Sequence, residues 1–333
     1  MVTAISRYGP RVIPNTMQVI EEVDARGQLI EGPHIEAFEA AFAERVGGRR
    51  AIATSYGRTA FFYILEAFGF PPGGEIIFPA LTFWVMPEMA RQAGLTPVFA
   101  DVDPVTFNVT ASAIERAMTP KTVAVVPTHL WGLPCDMNEI AAVAARHGLV
   151  VIEDCALSLF SAAPQGPLGS FGEIGIFCLY KTLPLPHGGT LALNRSGLEV
   201  PPRPEQPDRL SSFAYIANLL LDYVALRVDR LGPQLAEWGR SMGRSTKRAL
   251  GASTVPIDTN ELDTSVIPLG MGNTTRYLLA RTRPDEVVRA RRENYTYLRS
   301  LLDPAVSCLC ASMSRNPTPA PRKIRCSRFV ASI

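Results

Sequence analysis

Short, almost uninterrupted apolar segments alternate with segments of helical periodicity between residues 50 and 194, and this alternation constrains the fold more than any other feature. Strands without polar alternation are buried on both faces. Strands separated by helices form parallel sheets, because the chain must cross over before each new strand. The sequence therefore predicts an α/β fold with a mostly parallel sheet sandwiched between helices. The predicted strands are 50–54, 75–78, 97–101, 123–127, 149–154, 175–179 and 190–193, and the predicted helices are 18–25, 34–46, one from about residue 60, 85–93, 111–118 and 137–147.

The chain has 333 residues, of which 47% are hydrophobic, and this excludes a mainly disordered protein. We expect a large domain at residues 1–195. A proline-rich linker and a helical insertion are expected at 196–270, with an apolar helix at 211–231. A small domain is expected to start at 271–303 with a helix over 275–302.

Residues 304–333 differ in composition from the rest of the chain. They include five basic side chains, no acidic ones and three cysteines, without apolar periodicity. A segment of this kind buries too little surface to offset its ordering entropy. We therefore expect a disordered or aberrant tail, and with it an incomplete small C-terminal domain.

Charge, hydropathy and cysteine content indicate which partners, metal sites and cellular location to expect. The formal net charge of +2 gives no electrostatic argument for binding nucleic acid or a membrane surface. The most apolar stretch, residues 213–226, is too short to span a bilayer. The six cysteines do not form a disulfide framework, and Cys308 and Cys310 have no histidine nearby. We therefore predict no metal site and a cytoplasmic location.

Lys181 is distinctive among the four lysines of the chain. Lys121, Lys247 and Lys323 lie in a turn, a basic run and the tail, whereas Lys181 follows a buried strand and precedes two glycines at 188–189. Burial disfavours a charged amine, and a neutral amine can form a Schiff base with an aldehyde cofactor. A lysine whose charged head reaches the surface is the alternative.

Two further positions follow predicted strands. Asp154 ends the strand at 149–154, where a carboxylate can bind a metal, a ribose or a protonated ring nitrogen, or can cap a helix. Gly57 lies in the turn between a strand and a helix, where backbone N–H groups can bind a phosphate. Glycine is also common in turns of this kind without any ligand, and the turn is neither a Walker loop nor a dinucleotide-binding turn.

Aromatic and histidine side chains lie at the same predicted sheet edge. Phe83 and Trp84 can stack on a planar ring or belong to the core. His129 closes the strand at 123–127 and fits a hydrogen-bonded structural role. The sequence contains no nucleophile elbow, so nothing in it favours a hydrolase.

Taken together, these segments resemble the fold-type-I pyridoxal-phosphate (PLP) enzymes, and specifically the DegT/DnrJ/StrS sugar aminotransferase family. The resemblance spans about residues 28–194. It rests on six segments in order, namely residues 32–39, 73–83, 97–104, 126–132, 152–154 and Lys181 with the glycines at 188–189.

The resemblance implies a role for each candidate. Lys181 would bind PLP covalently and then move the proton between the substrate carbon and the cofactor. Asp154 would keep the pyridine nitrogen protonated. Phe83 would stack on the ring, and Gly57 with Arg58 would form the phosphate-binding turn.

The implied reaction is transfer of an amino group, usually from glutamate, to a nucleotide-linked keto sugar in polysaccharide or secondary-metabolite biosynthesis. The partners would be the nucleotide sugar and the amino donor, and the enzyme would be a homodimer with its site at the interface. Two other functions stay open: a sugar dehydratase, in which histidine replaces the lysine, and a PLP-binding relative without catalysis that acts as a regulatory or assembly subunit. The presence of Lys181 argues against the dehydratase.

Several positions depart from the family pattern. The usual Ser-Gly-Thr of the phosphate turn is Tyr56-Gly57-Arg58, and the serine before the lysine is Cys178. Leu157 replaces a polar Gln or His, and residues 268–271 replace an Asn-Tyr-Arg-Met segment. An arginine at position 58 would offset the lost hydroxyl with a charge-assisted contact.

Overall fold

The structure is a computed structural model, and it describes residues 34–183, 185, 187–198, 231–249 and 282–301, with shorter pieces elsewhere. Those pieces are residues 18, 21–22, 217, 220–221, 224–225, 228, 270–272, 275–276 and 278–279. The expectations for the proline-rich linker at 201–207, the family segment at 268–269 and the tail at 304–333 lie outside the described residues. The chain divides into two compact units, Met1–Ala290 and Arg291–Ile333, and residues 291–301 of the second are described as helix.

A seven-stranded sheet organises the first unit, in the order β1-β9-β8-β5-β4-β2-β3. Strand β9 runs antiparallel to both of its neighbours, and the other four pairings are parallel. The predicted α/β fold with a mostly parallel sheet is therefore confirmed. Its strands are β1 (Arg50–Thr54), β2 (Glu75–Pro79), β3 (Thr96–Ala100), β4 (Thr122–Val125), β5 (Val150–Asp154), β8 (Ile174–Cys178) and β9 (Gly189–Leu193).

Helices cover both faces of this sheet. On β2, Ile76 and Phe78 belong to one apolar cluster, whereas Ile77 between them belongs to another. This alternation shows that the strand is buried from both sides, as its uninterrupted apolar sequence predicts. The helices that contact the sheet are α1 (His34–Val46), α2 (Gly57–Phe68), α3 (Val85–Gln92), α4 (Ala111–Ala117) and α5 (Met137–His147). The described residues also form helices α6 (Gly232–Ala249) and α7 (Pro284–Leu301).

The predicted boundaries of the strands lie within two residues of the observed ones. The antiparallel hairpin of β6 (Ala162–Ala163) and β7 (Gly166–Pro167) was not predicted, because two-residue strands leave no periodic pattern. Short 3₁₀ turns at Leu130–Gly132 and Leu179–Lys181 follow β4 and β8. The second of these turns places Lys181 immediately beyond the sheet.

The helix predicted over 275–302 is not a single one, because residues 275–276 and 278–279 are helical but the helix is interrupted before α7. Thr282 and Arg283 are not helical, and α7 begins at Pro284, because proline lacks an N–H and fits the first helical position. Helix α6 lies within the helical insertion expected at 196–270, but its bounds were not predicted. It packs through small residues, since a Cβ on Gly239 would lie 2.7 Å from the side chain of Leu221. None of the helices in the described residues combines the length and apolar character needed to cross a membrane.

Candidate active site

The candidate residues converge on the carboxyl edge of the sheet. Strand β5 ends at Asp154, which pairs with Ile176 of the neighbouring parallel strand β8. Lys181 follows the end of β8 by three residues, and Phe83 follows the end of β2 by four residues. Carboxyl ends of parallel strands share one edge of a sheet, and ligands of α/β folds bind there.

Lys181 and Phe83 lie together at this edge. The Nζ atom of Lys181 is 5.5 Å from the centroid of the Phe83 ring. The Phe83 side chain is 50% exposed, so it is not part of the core. Within the part of the chain that the structure describes, no carboxylate forms an ion pair with Lys181. The amine thus lies over an exposed aromatic face without a charge partner.

Asp154 is a buried carboxylate held in one orientation. Its Oδ1 atom accepts a hydrogen bond from the N–H of Ala156 at 2.9 Å, and its Oδ2 atom accepts a long one from the hydroxyl of Thr128 at 3.5 Å. Its side chain is almost fully buried, and no helix follows it. The helix-cap alternative is therefore excluded, and Oδ2 keeps the capacity to accept a stronger donor.

The turn after β1 is closely packed on β9. Helix α2 begins at Gly57, and the preceding Tyr56 gives its first turn no side-chain hydrogen bond. A Cβ on Gly189 would lie 2.1 Å from the carbonyl carbon of Tyr56 and 2.4 Å from the nitrogen of Gly57. Only glycine fits at position 189. This close contact fixes the turn before α2 against β9.

Arg58 is part of this turn, and Cys178, at the end of β8, lies against it. The guanidinium carbon of Arg58 is 4.2 Å from the centroid of the Tyr56 ring, and the buried Tyr56 ring meets Tyr180 edge-on at 5.7 Å. Cys178 is buried, and its Cβ would be 3.4 Å from a Cβ on Gly57. The structure therefore brings Gly57, Arg58 and Cys178 together, and links them through Tyr180 to Lys181.

His187 was not identified from the sequence, although it directly precedes the two glycines. It is buried beside Tyr56, with Nδ1 3.4 Å from the carbonyl oxygen of Ser55. The pKa of His187 is lowered to about 3, mainly by burial and in part by the positive charge of Arg276, while the hydrogen bond to the Ser55 carbonyl opposes the shift. The imidazole is therefore neutral near pH 7.

His129 is hydrogen-bonded and buried, as its expected structural role requires, but its partner Glu153 was not predicted. The Nε2 atom of His129 is 2.9 Å from Oε2 of Glu153, and both side chains are fully buried. With Cys155 they form the one cluster of metal-ligand atoms among the described residues. This donor set does not fit a metal, because Glu153 already accepts three backbone N–H bonds and burial raises the pKa of the Cys155 thiol well above its usual value.

The residues at the sheet edge fit PLP. An amine without a charge partner suits its aldehyde, a half-exposed aromatic face suits its planar ring, and a buried carboxylate suits its ring nitrogen. The N-terminus of α2, which packs against β9 at Gly189, suits its phosphate. The exposed Leu157 lies where the resemblance places a polar residue. The fold and this donor set fit the class of PLP-dependent aminotransferases.

Comparison with known proteins gives the same class. A sequence model described as the DegT/DnrJ/EryC1/StrS aminotransferase family matches residues 10–199. The match covers more than half of the chain, and the chain belongs to this PLP-dependent family.

Individual relatives match part of their length. The chain is 40% identical to the spore coat polysaccharide biosynthesis protein SpsC of Bacillus subtilis, over 54% of this chain and 46% of SpsC. It is 38% identical to the GDP-perosamine synthase of Caulobacter vibrioides, over 58% of this chain and 53% of that protein. The chain thus spans about half the length of these relatives. The aminotransferase from Psychrobacter cryohalolentis has a similar fold, with a TM-score of 0.58, 26% identity and coverage of 86% of this chain and 64% of that one.

Proposed function

We propose that this protein is a PLP-dependent aminotransferase that moves an amino group from glutamate to a nucleotide-linked keto sugar in polysaccharide or secondary-metabolite biosynthesis. The observation behind the proposal is the placement of Lys181 over the exposed ring of Phe83, at the sheet edge where Asp154 is buried. The GDP-perosamine synthase and the spore coat polysaccharide protein among its relatives support a nucleotide sugar as substrate.

Lys181 is the residue proposed to bind PLP covalently and to transfer the proton. Its Nζ has no charge partner among the described residues, so it can act as a nucleophile and afterwards as a base and acid at the substrate carbon. Bound PLP supplies an electron sink for the negative charge that develops on that carbon. The Phe83 ring limits the position of the cofactor plane from one side.

Asp154 is proposed to accept the N–H of the pyridine ring. The bond from Ala156 fixes one carboxylate oxygen, while Oδ2 has only the long bond from Thr128. A fixed negative charge at the ring nitrogen stabilises the charge that the ring receives. We propose that Oδ2 provides this contact.

The N-terminus of α2, Arg58 and Cys178 are proposed to surround the phosphate. The first turn of α2 offers backbone N–H groups and the positive end of the helix dipole. Cys178 is a weaker hydrogen-bond donor than the serine of the family, and the guanidinium of Arg58 can supply a charge-assisted bond instead. The stacking of Arg58 on the Tyr56 ring holds the guanidinium at the turn.

We further propose a homodimer in the cytoplasm. Phe83, Trp84 and Trp131 are exposed at or beside the site, at 50%, 43% and 53%, and exposed aromatic surface favours association. Cys135, Cys155 and Cys178 are unpaired thiols, as expected in a reducing compartment.

Absorption spectroscopy tests the proposed reaction. Purified protein loaded with PLP should show a visible absorption band that disappears when glutamate is added and returns when a nucleotide-linked keto sugar is added. If neither glutamate nor any other amino donor changes the band, the result would support the non-catalytic subunit and contradict the proposed enzymatic activity.

A further inference from the structure

The carboxylate of Glu153 accepts four hydrogen bonds in a fully buried position. Its Oε2 atom accepts from His129 Nε2 at 2.9 Å and from the Gly169 N–H at 2.9 Å. Its Oε1 atom accepts from the N–H groups of Phe171 and Gly172 at 2.7 and 2.6 Å. A buried carboxylate without donors is strongly disfavoured, and this one is saturated with them.

These bonds join three segments that lead to the candidate site. His129 follows β4, Glu153 belongs to β5, and residues 169–172 lead into β8, after which Lys181 follows. Glycine allows the segment of residues 169–172 to pack closely against its neighbours. A Cβ on Gly172 would be 2.6 Å from the carbonyl oxygen of Val151, and a Cβ on Gly175 would be 2.4 Å from the carbonyl oxygen of Gly169. Glu153 therefore holds the strand of Asp154 against the segment that precedes the strand of Lys181.

His129 connects Glu153 to Asp154. The ring atom Nδ1 of His129 accepts the N–H of Cys135 at 3.1 Å, so the ring hydrogen of the neutral imidazole is on Nε2 and points to Glu153. The backbone N–H of His129 donates to the carbonyl oxygen of Asp154 at 3.1 Å. The preceding residue, Thr128, donates to Oδ2 of Asp154.

We propose that Glu153 is a positioning residue for Asp154. Glu153 holds the His129 ring and thereby fixes the Thr128–His129 backbone, and this backbone orients the Asp154 carboxylate toward the cofactor. Adjacent residues of a strand point to opposite faces, so Glu153 acts from the face of β5 opposite to Asp154. This role rests on the proposed PLP site at Asp154 and adds to it a residue on the far side of the sheet.

The test variant is Glu153→Gln, and Glu173→Gln is its matched control. Glutamine puts an NH₂ group where the carboxylate faces N–H donors, so at least one of the four bonds is lost. Glu173 also joins the segment before β8 to β5, by accepting the Val151 N–H at 2.7 Å, but it does so near the opposite end of the strand from Asp154. The control variant therefore also replaces a carboxylate by an amide between β5 and the segment before β8.

The first measurement uses the protein without cofactor. The chain has four histidines, so ¹⁵N-edited spectra can resolve the His129 ring. We expect one hydrogen-bonded Nε2–H form in the wild type and in Glu173→Gln, and loss of that form in Glu153→Gln. A wild-type ring that exchanges between tautomers would overturn the role of His129 as the link.

The second measurement is the pH titration of the visible band of bound PLP. The midpoint in Glu153→Gln should move in the same direction as in Asp154→Asn, by about one pH unit, while Glu173→Gln should keep the wild-type midpoint. Equal midpoints in wild type, Glu153→Gln and Glu173→Gln would overturn the positioning role alone. Absence of any visible band in the wild type would instead overturn the proposed function together with this role.

If Glu153→Gln does not fold, His129→Phe replaces it. That variant removes the ring bond to Glu153 and the acceptor of the Cys135 N–H, but it leaves the three backbone bonds of Glu153. It should move the midpoint in the same direction by a smaller amount. An unchanged midpoint in folded His129→Phe would contradict the proposal.

Discussion

At the scale of single residues, Asp154 has one firmly bonded oxygen and one that is nearly free to accept a new donor. That arrangement suits a group that must hold a charge in a fixed place without being neutralised by its neighbours. The buried position strengthens the electrostatic effect, because the surroundings screen it weakly.

Replacing Asp154 by Asn should therefore keep cofactor binding and slow amino transfer. Loss of the fixed charge should reduce the rate of the glutamate half-reaction by on the order of 10²–10³, measured by stopped-flow absorption. Asp103→Asn is the control, since Asp103 Oδ1 accepts bonds from Val105 and Thr106 in its own turn. An Asp154→Asn rate equal to that of the control would contradict the assigned role.

His187 makes acid stability a second test at this scale. The unfolded chain binds a proton at His187 below its ordinary pKa of 6.5, whereas the native protein does so only near pH 3. Acid therefore favours the unfolded state, and the free energy of unfolding should fall as the pH drops from about 6.5 toward 3. The slope from this one group is at most about 1.4 kcal/mol per pH unit.

The variant His187→Asn should lose that part of the acid sensitivity. Urea unfolding at several pH values measures it, and His147→Asn, at an exposed histidine on α5, should keep the wild-type slope. Identical slopes in the wild type and both variants would show that His187 is not held neutral by burial.

At the scale of elements, the alternation of apolar and helical segments was sufficient to predict the strands and most helices. Helix α5 was predicted with its observed ends, because Asp136 caps its start and Gly148 in the left-handed conformation ends it. The bounds of helix α6 were not predicted, although its apolar side chains Leu235, Trp238 and Met242 recur at helical spacing. These side chains are exposed, and the buried contacts of the helix run through small residues such as Ala236 and Gly239.

Sequence reasoning placed Lys181, Asp154, Phe83 and Gly57 at one sheet edge because each follows a strand. It could not find the bond between His129 and Glu153, although His129 was noted at the end of a strand. Partners on adjacent strands depend on the strand order β5-β4 and on register, which a single sequence does not specify. The contact of Gly189 with the turn at Tyr56 also depends on strand order and register, so the sequence could not predict it either.

That contact predicts the effect of Gly189→Ala. The new Cβ would overlap the backbone of Tyr56 and Gly57, so β9 or the turn must move. We expect a loss of about 1–3 kcal/mol in the free energy of unfolding and weaker PLP binding, measured by urea unfolding and cofactor titration. Gly243→Ala on α6, where a Cβ would meet nothing, should be neutral or stabilising. A Gly189→Ala variant as stable as Gly243→Ala would contradict the close approach.

At the scale of the whole molecule, the aromatic surface around the site predicts self-association. Sedimentation velocity should show a dimer, and Trp131→Arg should raise its dissociation constant at least about tenfold, because an exposed interface tryptophan is a typical binding hot spot. Leu235→Arg is the control, as Leu235 is similarly exposed but on α6. A wild-type protein that stays monomeric at every concentration would contradict the proposed homodimer.

The central claim is that the cofactor binds at Lys181, and covalent trapping tests it most directly. Protein loaded with PLP is reduced with borohydride, digested and mapped by mass spectrometry, with Lys181→Ala as the control. We expect the phosphopyridoxyl group on the peptide that contains Lys181, and we expect it to be absent from the variant. Labelling of Lys121 or Lys247 instead, or equal labelling of Lys181→Ala, would contradict it.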